Sequence, residues 1–224
     1  MSSIPLQTID TIIYDMDGVL INSEPIWKET EIEVFDSIGI DFIAVGGEKT
    51  VGLRIDEVVE YWYSRFPWKN KSIHQVVDEI MTRMVERIKK EGKPLTGAKE
   101  SLQYFKENGY KIGLASSSYS VLIETTLSAL GIGHYFDVIL SAEKLPFGKP
   151  HPVIYLEAAR QLNSSPSTCL VIEDSLNGII AGKAAKMSVV AIPDGTHQPN
   201  PKTILADVQL NSLHEVIKLF RGIK

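Results

Sequence analysis

The chain has 224 residues, 44% of them hydrophobic, a formal net charge of −5 at pH 7 and one cysteine, Cys169. That is enough for one large domain or a core domain with a smaller partner, and no apolar run approaches the roughly 20 residues a bilayer-spanning helix needs. The acidic balance argues against broad binding to nucleic acid or an anionic membrane, and a lone cysteine excludes an internal disulfide or a multi-cysteine metal site. The stretch Met1-Ser2-Ser3-Ile4-Pro5 lacks the basic and apolar regions of a secretory leader, so a cytoplasmic location is expected; a monomer is expected as well.

Ile12-Ile13-Tyr14 is a short β-prone run that ends at Asp15-Met16-Asp17-Gly18. A mostly helical stretch comes next, roughly residues 24 to 92. Glu24 to Ile38 carries Trp27, Ile32, Phe35 and Ile38 at helical spacing before Gly39. Arg54 to Phe66 carries Ile55, Val58, Val59 and Trp62 and is stopped by Pro67. Ser72 to Lys90 carries Ile73, Val76, Val77, Ile80, Met84 and Ile88, with Ser72 as N-cap and Gly92 as stop. Three amphipathic helices predict a small bundle, a lid over residues 23–93. Its three tryptophans, Trp27, Trp62 and Trp68, are expected in the bundle core and not in the site.

From Pro94 the pattern alternates. Helices are expected at 98–108, 120–130, 152–162, 176–185 and 213–220, and strands at 111–115, 138–140, 169–172, 189–192 and 208–210. Alternation of this kind calls for an α/β fold with a doubly wound parallel sheet. The first strand belongs to that sheet, which assigns residues 1–22 and 94–224 to one core domain interrupted by the helical insertion.

Four strand ends carry chemistry. Asp15 and Asp17 lie just past the first strand and can point the same way, since side chains alternate along an extended chain. The second strand runs into Ser116-Ser117-Ser118 at a helix start, a setting suited to an anion. Gly148-Lys149-Pro150 comes after the third strand and Glu173-Asp174-Ser175 after the fourth. Each segment alone reads equally as a turn, a cap or a surface lysine. Together they put several carboxylates, an anion cradle and one cation at the sheet edge where ligands of open α/β folds bind. Carboxylate oxygens suit Mg²⁺, whereas the five histidines (74, 134, 151, 197 and 214) show no ligand spacing for zinc.

In this order the segments resemble the four motifs of the haloacid dehalogenase-like superfamily, in the phosphatase branch with a helical cap after the first strand. Asp15-Met16-Asp17-Gly18-Val19 matches the first motif, Ser116 the second, Lys149 the third and Glu173-Asp174 the fourth, and the match spans essentially the whole chain. Asn22-Ser23-Glu24-Pro25-Ile26-Trp27, Val51-Gly52-Leu53-Arg54-Ile55-Asp56 and Ser141-Ala142-Glu143-Lys144-Leu145-Pro146 are similar to the bacterial phosphatases of 2-deoxyglucose 6-phosphate and hexitol phosphates.

The resemblance implies a Mg²⁺-dependent phosphomonoesterase, with Mn²⁺ or Co²⁺ as substitutes, acting on a small phosphorylated sugar or polyol. It implies Asp15 as nucleophile and Asp17 as general acid and then base. The metal ligands would be Asp15, Asp17 through its backbone carbonyl, and Asp174, with Glu173 orienting water around the ion. Ser116, Ser117 and Lys149 would bind the phosphoryl group. Glu24 lies close after the first motif, and Arg54 places a cation at a helix start, against the helix dipole. Both are expected to contact substrate from the cap.

A β-phosphoglucomutase-like reading is weakened because Trp27 stands where mutase relatives use a cap histidine. A dehalogenase lacks the second aspartate, and a phosphonate-cleaving enzyme would need a Schiff-base lysine, for which Lys28 has no further support. A phospho-accepting signalling module shares strand-end acids and a lysine but is about half this length and has no cap.

Overall fold

The computed structural model describes residues 4–192 and 204–222; Met1–Ser3 and His197 lie outside them. Strands β1 (Thr11–Tyr14), β2 (Lys111–Ser116), β3 (Val138–Ser141), β4 (Cys169–Glu173), β5 (Ser188–Ala191) and β6 (Val208–Gln209) form one sheet in the order β3-β2-β1-β4-β5-β6. Every neighbouring pair is parallel. Register brings Tyr14 beside Leu114 on one side and Ile172 on the other. The chain winds outward in both directions from β1, so the crevice beyond its carboxyl end is the topological switch point of the sheet.

All four β1 residues are buried, as expected of a parallel strand covered on both faces. Alternation splits them between two apolar layers. Ile12 and Tyr14 pack in the layer of Phe105 and Phe220, from helices α4 (Ala98–Glu107) and α8 (Leu213–Arg221). Ile13 packs in the layer of Ile154 and Ile179, from α6 (Val153–Gln161) and α7 (Leu176–Ala184). Full burial of such a side chain stabilises by about 1.5–3 kcal/mol, which makes β1 a rigid mount for the acidic loop at its carboxyl end. Helix α5 (Ser120–Leu130) comes after β2.

The insertion forms α1 (Glu24–Ser37), α2 (Ile55–Arg65) and α3 (Ile73–Glu91). Ser72 caps α3 by accepting from the N–H of Gln75, whose side chain accepts from Ser72 in return. The insertion leaves and re-enters the core at one place: Asn22 N–H donates to Lys93 O at 3.0 Å and Leu95 N–H to Leu20 O at 3.0 Å. Val59, Trp62, Ile80 and Met84 fill the bundle, and their apolar layer runs without a break into Leu20, Ile21 and the α4–α8 layer.

Helix α2 buries the expected stripe, Ile55, Val58, Val59 and Trp62, and Trp68 is buried as well. Helix α1 departs from expectation. Its buried residues are Ile26, Thr30, Val34 and Phe35, while Trp27 and Ile32 are only half-buried. The helix serves two adjacent surfaces, the bundle and a cavity beside the sheet edge, and Trp27 and Ile32 line the latter. Among the described residues no helix is long and apolar enough to cross a membrane.

Candidate active site

Asp15 extends the central ladder by one residue, its N–H donating to Ile172 O at 3.0 Å, so its carboxylate emerges at the switch point. There it meets Lys149, whose ammonium donates to Asp15 Oδ1 at 2.6 Å and to Glu173 Oε1 at 2.7 Å. Lys149 is 2% exposed and Glu173 fully buried, so this is a charge cluster withdrawn from water. Burial pushes the Asp15 carboxyl up to about 8; Lys149 opposes that, while Glu173 and Asp17 add to it. Burial alone would lower the Lys149 ammonium, but Asp15 and Glu173 outweigh it and hold the lysine well above its ordinary value. Burial also works against ionised Glu173. Lys149, the Tyr155 hydroxyl and the Ser175 N–H more than compensate and keep that carboxyl below its usual range.

Glu173 is held from several sides. Besides Lys149 it accepts from the Tyr155 hydroxyl at 2.7 Å and from the N–H groups of Asp174 and Ser175 at 3.0 and 3.1 Å. Its carboxylate orients the lysine and the turn after β4. A Cβ at Gly178 would lie 1.6 Å from Glu173 Oε1, so the first turn of α7 leaves just enough room for that carboxylate.

Asp174 turns the other way, over Gly18. A Cβ at Gly18 would lie 1.9 Å from Asp174 Oδ2, and φ of +68° there favours glycine independently. Burial pushes the Asp174 carboxyl well above its ordinary value, and Glu173, Asp15 and Glu24 push it further. One oxygen each of Asp15, Glu173 and Asp174 lies within 4.8 Å of the others. Three crowded carboxylates, with no histidine or cysteine among them, form a hard-oxygen set that fits Mg²⁺.

Asp17 is held by other partners. Its Oδ1 accepts from the Ser23 hydroxyl at 2.6 Å and the Trp27 indole N–H at 3.0 Å, and Oδ2 from the Ser118 hydroxyl at 2.7 Å. Ser23 precedes α1 and Trp27 lies on it, so the cap reaches the second aspartate directly. The Ser116 hydroxyl is buried and accepts from the Ser118 N–H at 3.1 Å. The Ser117 hydroxyl donates to Gly52 O of the cap at 3.2 Å.

These groups enclose a cavity of about 70 Å³ lined by Asp15, Asp17, Ser116, Ser117, Lys149 and Asp174 from the core. Glu24, Trp27, Glu31, Thr50, Val51 and Gly52 close it from the cap. None of the described histidines lines it. The core residues singled out from sequence thus converge, and Glu24 joins them.

Arg54 does not reach the cavity wall. Its guanidinium spans the cap–core seam, donating to Ala142 O at 3.0 Å, Leu145 O at 2.9 Å and Asp56 Oδ1 at 2.7 Å. Pairing with Asp56 offsets the misfit of a cation at the helix start. Glu57 makes a second link across the seam, accepting from Gly148 N–H at 3.1 Å beside Lys149. Asn177 adds a bond to Val51 O at 3.0 Å. Arg54 thus ties the cap to the core.

Tyr155 and Glu31 have no place in the sequence-based site, and Trp27, expected in the bundle core, joins it instead. The spacing 24, 27, 31 puts three cavity residues on one stripe of α1, a signal present in the sequence but overridden there by the usual preference of tryptophan for a core.

The haloacid dehalogenase-like hydrolase family matches residues 12–192, and the chain belongs to it. The chain is 43% identical over 206 residues to hexitol phosphatase B of Escherichia coli K12, covering 91% of this chain and 92% of that protein. It is 30% identical over 179 residues to the phosphorylated carbohydrates phosphatase of Thermotoga maritima, covering 79% and 82%. The crystal structure of β-phosphoglucomutase from Clostridium difficile superposes with a TM-score of 0.79 at 26% identity, covering 96% of this chain and 98% of that one. The chain is an enzyme, a phosphoric monoester hydrolase.

Proposed function

We propose that the chain is a Mg²⁺-dependent phosphatase of small sugar and polyol phosphates, hexitol phosphates and 2-deoxyglucose 6-phosphate above all, working through an aspartyl-phosphate. The observation that carries this reading is the buried Asp15–Lys149–Glu173 array, with Ser116 and Asp17 facing the same small cavity.

Asp15 attacks phosphorus in line, its oxygen forming the new P–O bond as the bond to the sugar oxygen breaks. Asp17 protonates the departing alkoxide and then takes a proton from the water that hydrolyses the intermediate, returning Asp15. Lys149 and the Ser116 hydroxyl neutralise charge on the phosphoryl oxygens, and Ser117 contributes at the same edge. Glu173 holds Lys149 in line with Asp15. Asp15, the Asp17 carbonyl and Asp174 would hold Mg²⁺, which when bound screens the repulsion between the phosphate dianion and the carboxylate nucleophile. Mn²⁺ and Co²⁺ share the preference for such ligands in part and should substitute. Trp27 supplies a hydrogen-bond donor to Asp17 but no titratable proton, which favours hydrolysis over the phosphomutase alternative. The seam made by Arg54, Ser117 and Asn177 closes the cap over the reaction and limits access of bulk water.

The test is phosphate release with Mg²⁺ across hexitol, hexose and 2-deoxyhexose phosphates, with Asp15→Asn as control. Release fastest on hexitol phosphates or 2-deoxyglucose 6-phosphate, and lost in the variant, is expected. Interconversion of glucose 1- and 6-phosphates without free phosphate would favour the mutase instead.

A further inference from the structure

The cavity at Asp15 is small. Its volume is about 70 Å³, room for a group of phosphoryl size next to Asp15 and Lys149. A second recess, about 470 Å³, adjoins it on the cap side. The two share Glu24, Trp27, Glu31 and Val51 in their walls. The carbon skeleton of a substrate whose phosphate lies at Asp15 can therefore extend into this recess, past the inner stripe of α1.

We propose that Glu31, working with Glu24, is a specificity-determining residue that holds the hydroxyl groups of the substrate's carbon chain in this recess. The proposal rests on the sugar and polyol phosphatase reading and assigns that substrate's binding face. Three observations carry it. Glu24, Trp27 and Glu31 recur at the spacing that places them on one face of α1, the face turned to both cavities. Two exposed acids of the same helix are paired: Glu33 accepts from Arg87 at 2.6 Å and Arg83 at 2.9 Å, and Glu29 from Arg87 at 3.4 Å. Glu31, by contrast, has no hydrogen bond or ion pair among the described residues although it is half-buried.

Burial, with Glu24 adding repulsion, pushes the Glu31 carboxyl up to about 8. A carboxyl that is largely protonated at neutral pH both donates and accepts, as a hydroxyl does, so neighbouring hydroxyls of a polyol meet matched partners. Ile32 and Phe42 supply the apolar part of the recess wall, against which the C–H face of the chain can rest. A site built to hydrogen-bond a hydroxyl discriminates strongly against analogues that lack it, because the protein group is then left buried and unpaired.

The experiment compares kcat/KM on glucitol 6-phosphate with kcat/KM on acetyl phosphate, whose acyl group carries no hydroxyl for Glu31 to hold. In Glu31→Leu the ratio should fall at least tenfold, mostly through a rise in KM on glucitol 6-phosphate, and Glu31→Gln, which still donates and accepts, should recover most of it. Glu31→Ala, which adds no bulk, is read in the same way should the leucine variant fail to fold. An unchanged ratio in the Leu or Ala variant would overturn the proposal, as would an equal loss in Gln and Leu. Wild-type enzyme that turns over acetyl phosphate but no sugar or polyol phosphate would overturn the substrate reading, and the proposal with it.

Discussion

Glu173→Gln preserves the outline of a fully buried side chain but removes the charge that Lys149 faces. The native carboxylate accepts from the Lys149 ammonium, the Tyr155 hydroxyl, the N–H groups of Asp174 and Ser175, and the Ser175 hydroxyl at 2.7 to 3.1 Å. An amide has one oxygen for these donors, and its NH₂ must point at others. Hydrogen bonds to charged groups contribute about 1.5–3 kcal/mol each, and breaking a buried ion pair from one side costs about 3–5 kcal/mol. At about 2–4 °C per kcal/mol for a chain of this size, the metal-free variant should melt about 6–20 °C lower.

A thermodynamic cycle with Lys149→Met isolates the pair. Each single variant leaves a charge uncompensated, so the double variant should be less destabilised than the two losses combined, by about 1–3 kcal/mol. Thermal melts in EDTA read all four proteins. A Glu173→Gln variant melting within about 2 °C of wild type, or losses that add to within about 0.5 kcal/mol, would refute the reasoning.

Chelation should abolish phosphate release and Mg²⁺ restore it, and saturating Mg²⁺ at about 100 times its Kd should add about 2.7 kcal/mol of stability, read as a rise in Tm; equal activity in EDTA would contradict the metal assignment. Arg54→Ala removes two charge-assisted bonds across the cap–core seam, so kcat/KM should fall about ten- to a hundredfold, with faster proteolysis within the cap; unchanged kinetics would show that the latch is idle. Glu31 binds its proton more tightly folded than unfolded, so its contribution is present below its unfolded pKa near 4.5 and is lost as pH rises towards about 8. Wild-type Tm in EDTA should therefore fall more steeply between pH 5 and pH 8 than that of Glu31→Gln, and parallel slopes would contradict the burial argument.

Much of this arrangement is written locally. The apolar run ending at Asp15, the periodic helices with Ser72 as cap, and the alternation after Pro94 each arise from a few adjacent residues, and the parallel sheet arises from their order. Convergence of Asp15, Ser116, Lys149 and Asp174 is legible because each closes a strand of that sheet or lies in the loop beyond it. The illegible parts depend on long-range partners. Arg54 reads as a substrate ligand because the carbonyls that engage it lie 88 and 91 residues away. The pairing of Glu173 with Lys149, 24 residues earlier, is illegible because nothing local ties the two together. Trp27 reads as bundle core and Glu31 as surface because α1 borders a bundle on one side and a cavity on the next, and periodicity alone does not say which residues face which.

The most direct test of the mechanism is single turnover of p-nitrophenyl phosphate by Asp17→Asn. Nitrophenolate leaves without an acid, so the first step should survive, while the hydrolysis that needs Asp17 as base should stall. A nitrophenol burst stoichiometric with enzyme, and phosphate recovered on the Asp15 peptide, is the predicted result. Undiminished steady turnover, or label on any other residue, would contradict the assignment of Asp15 as nucleophile and Asp17 as its acid and base.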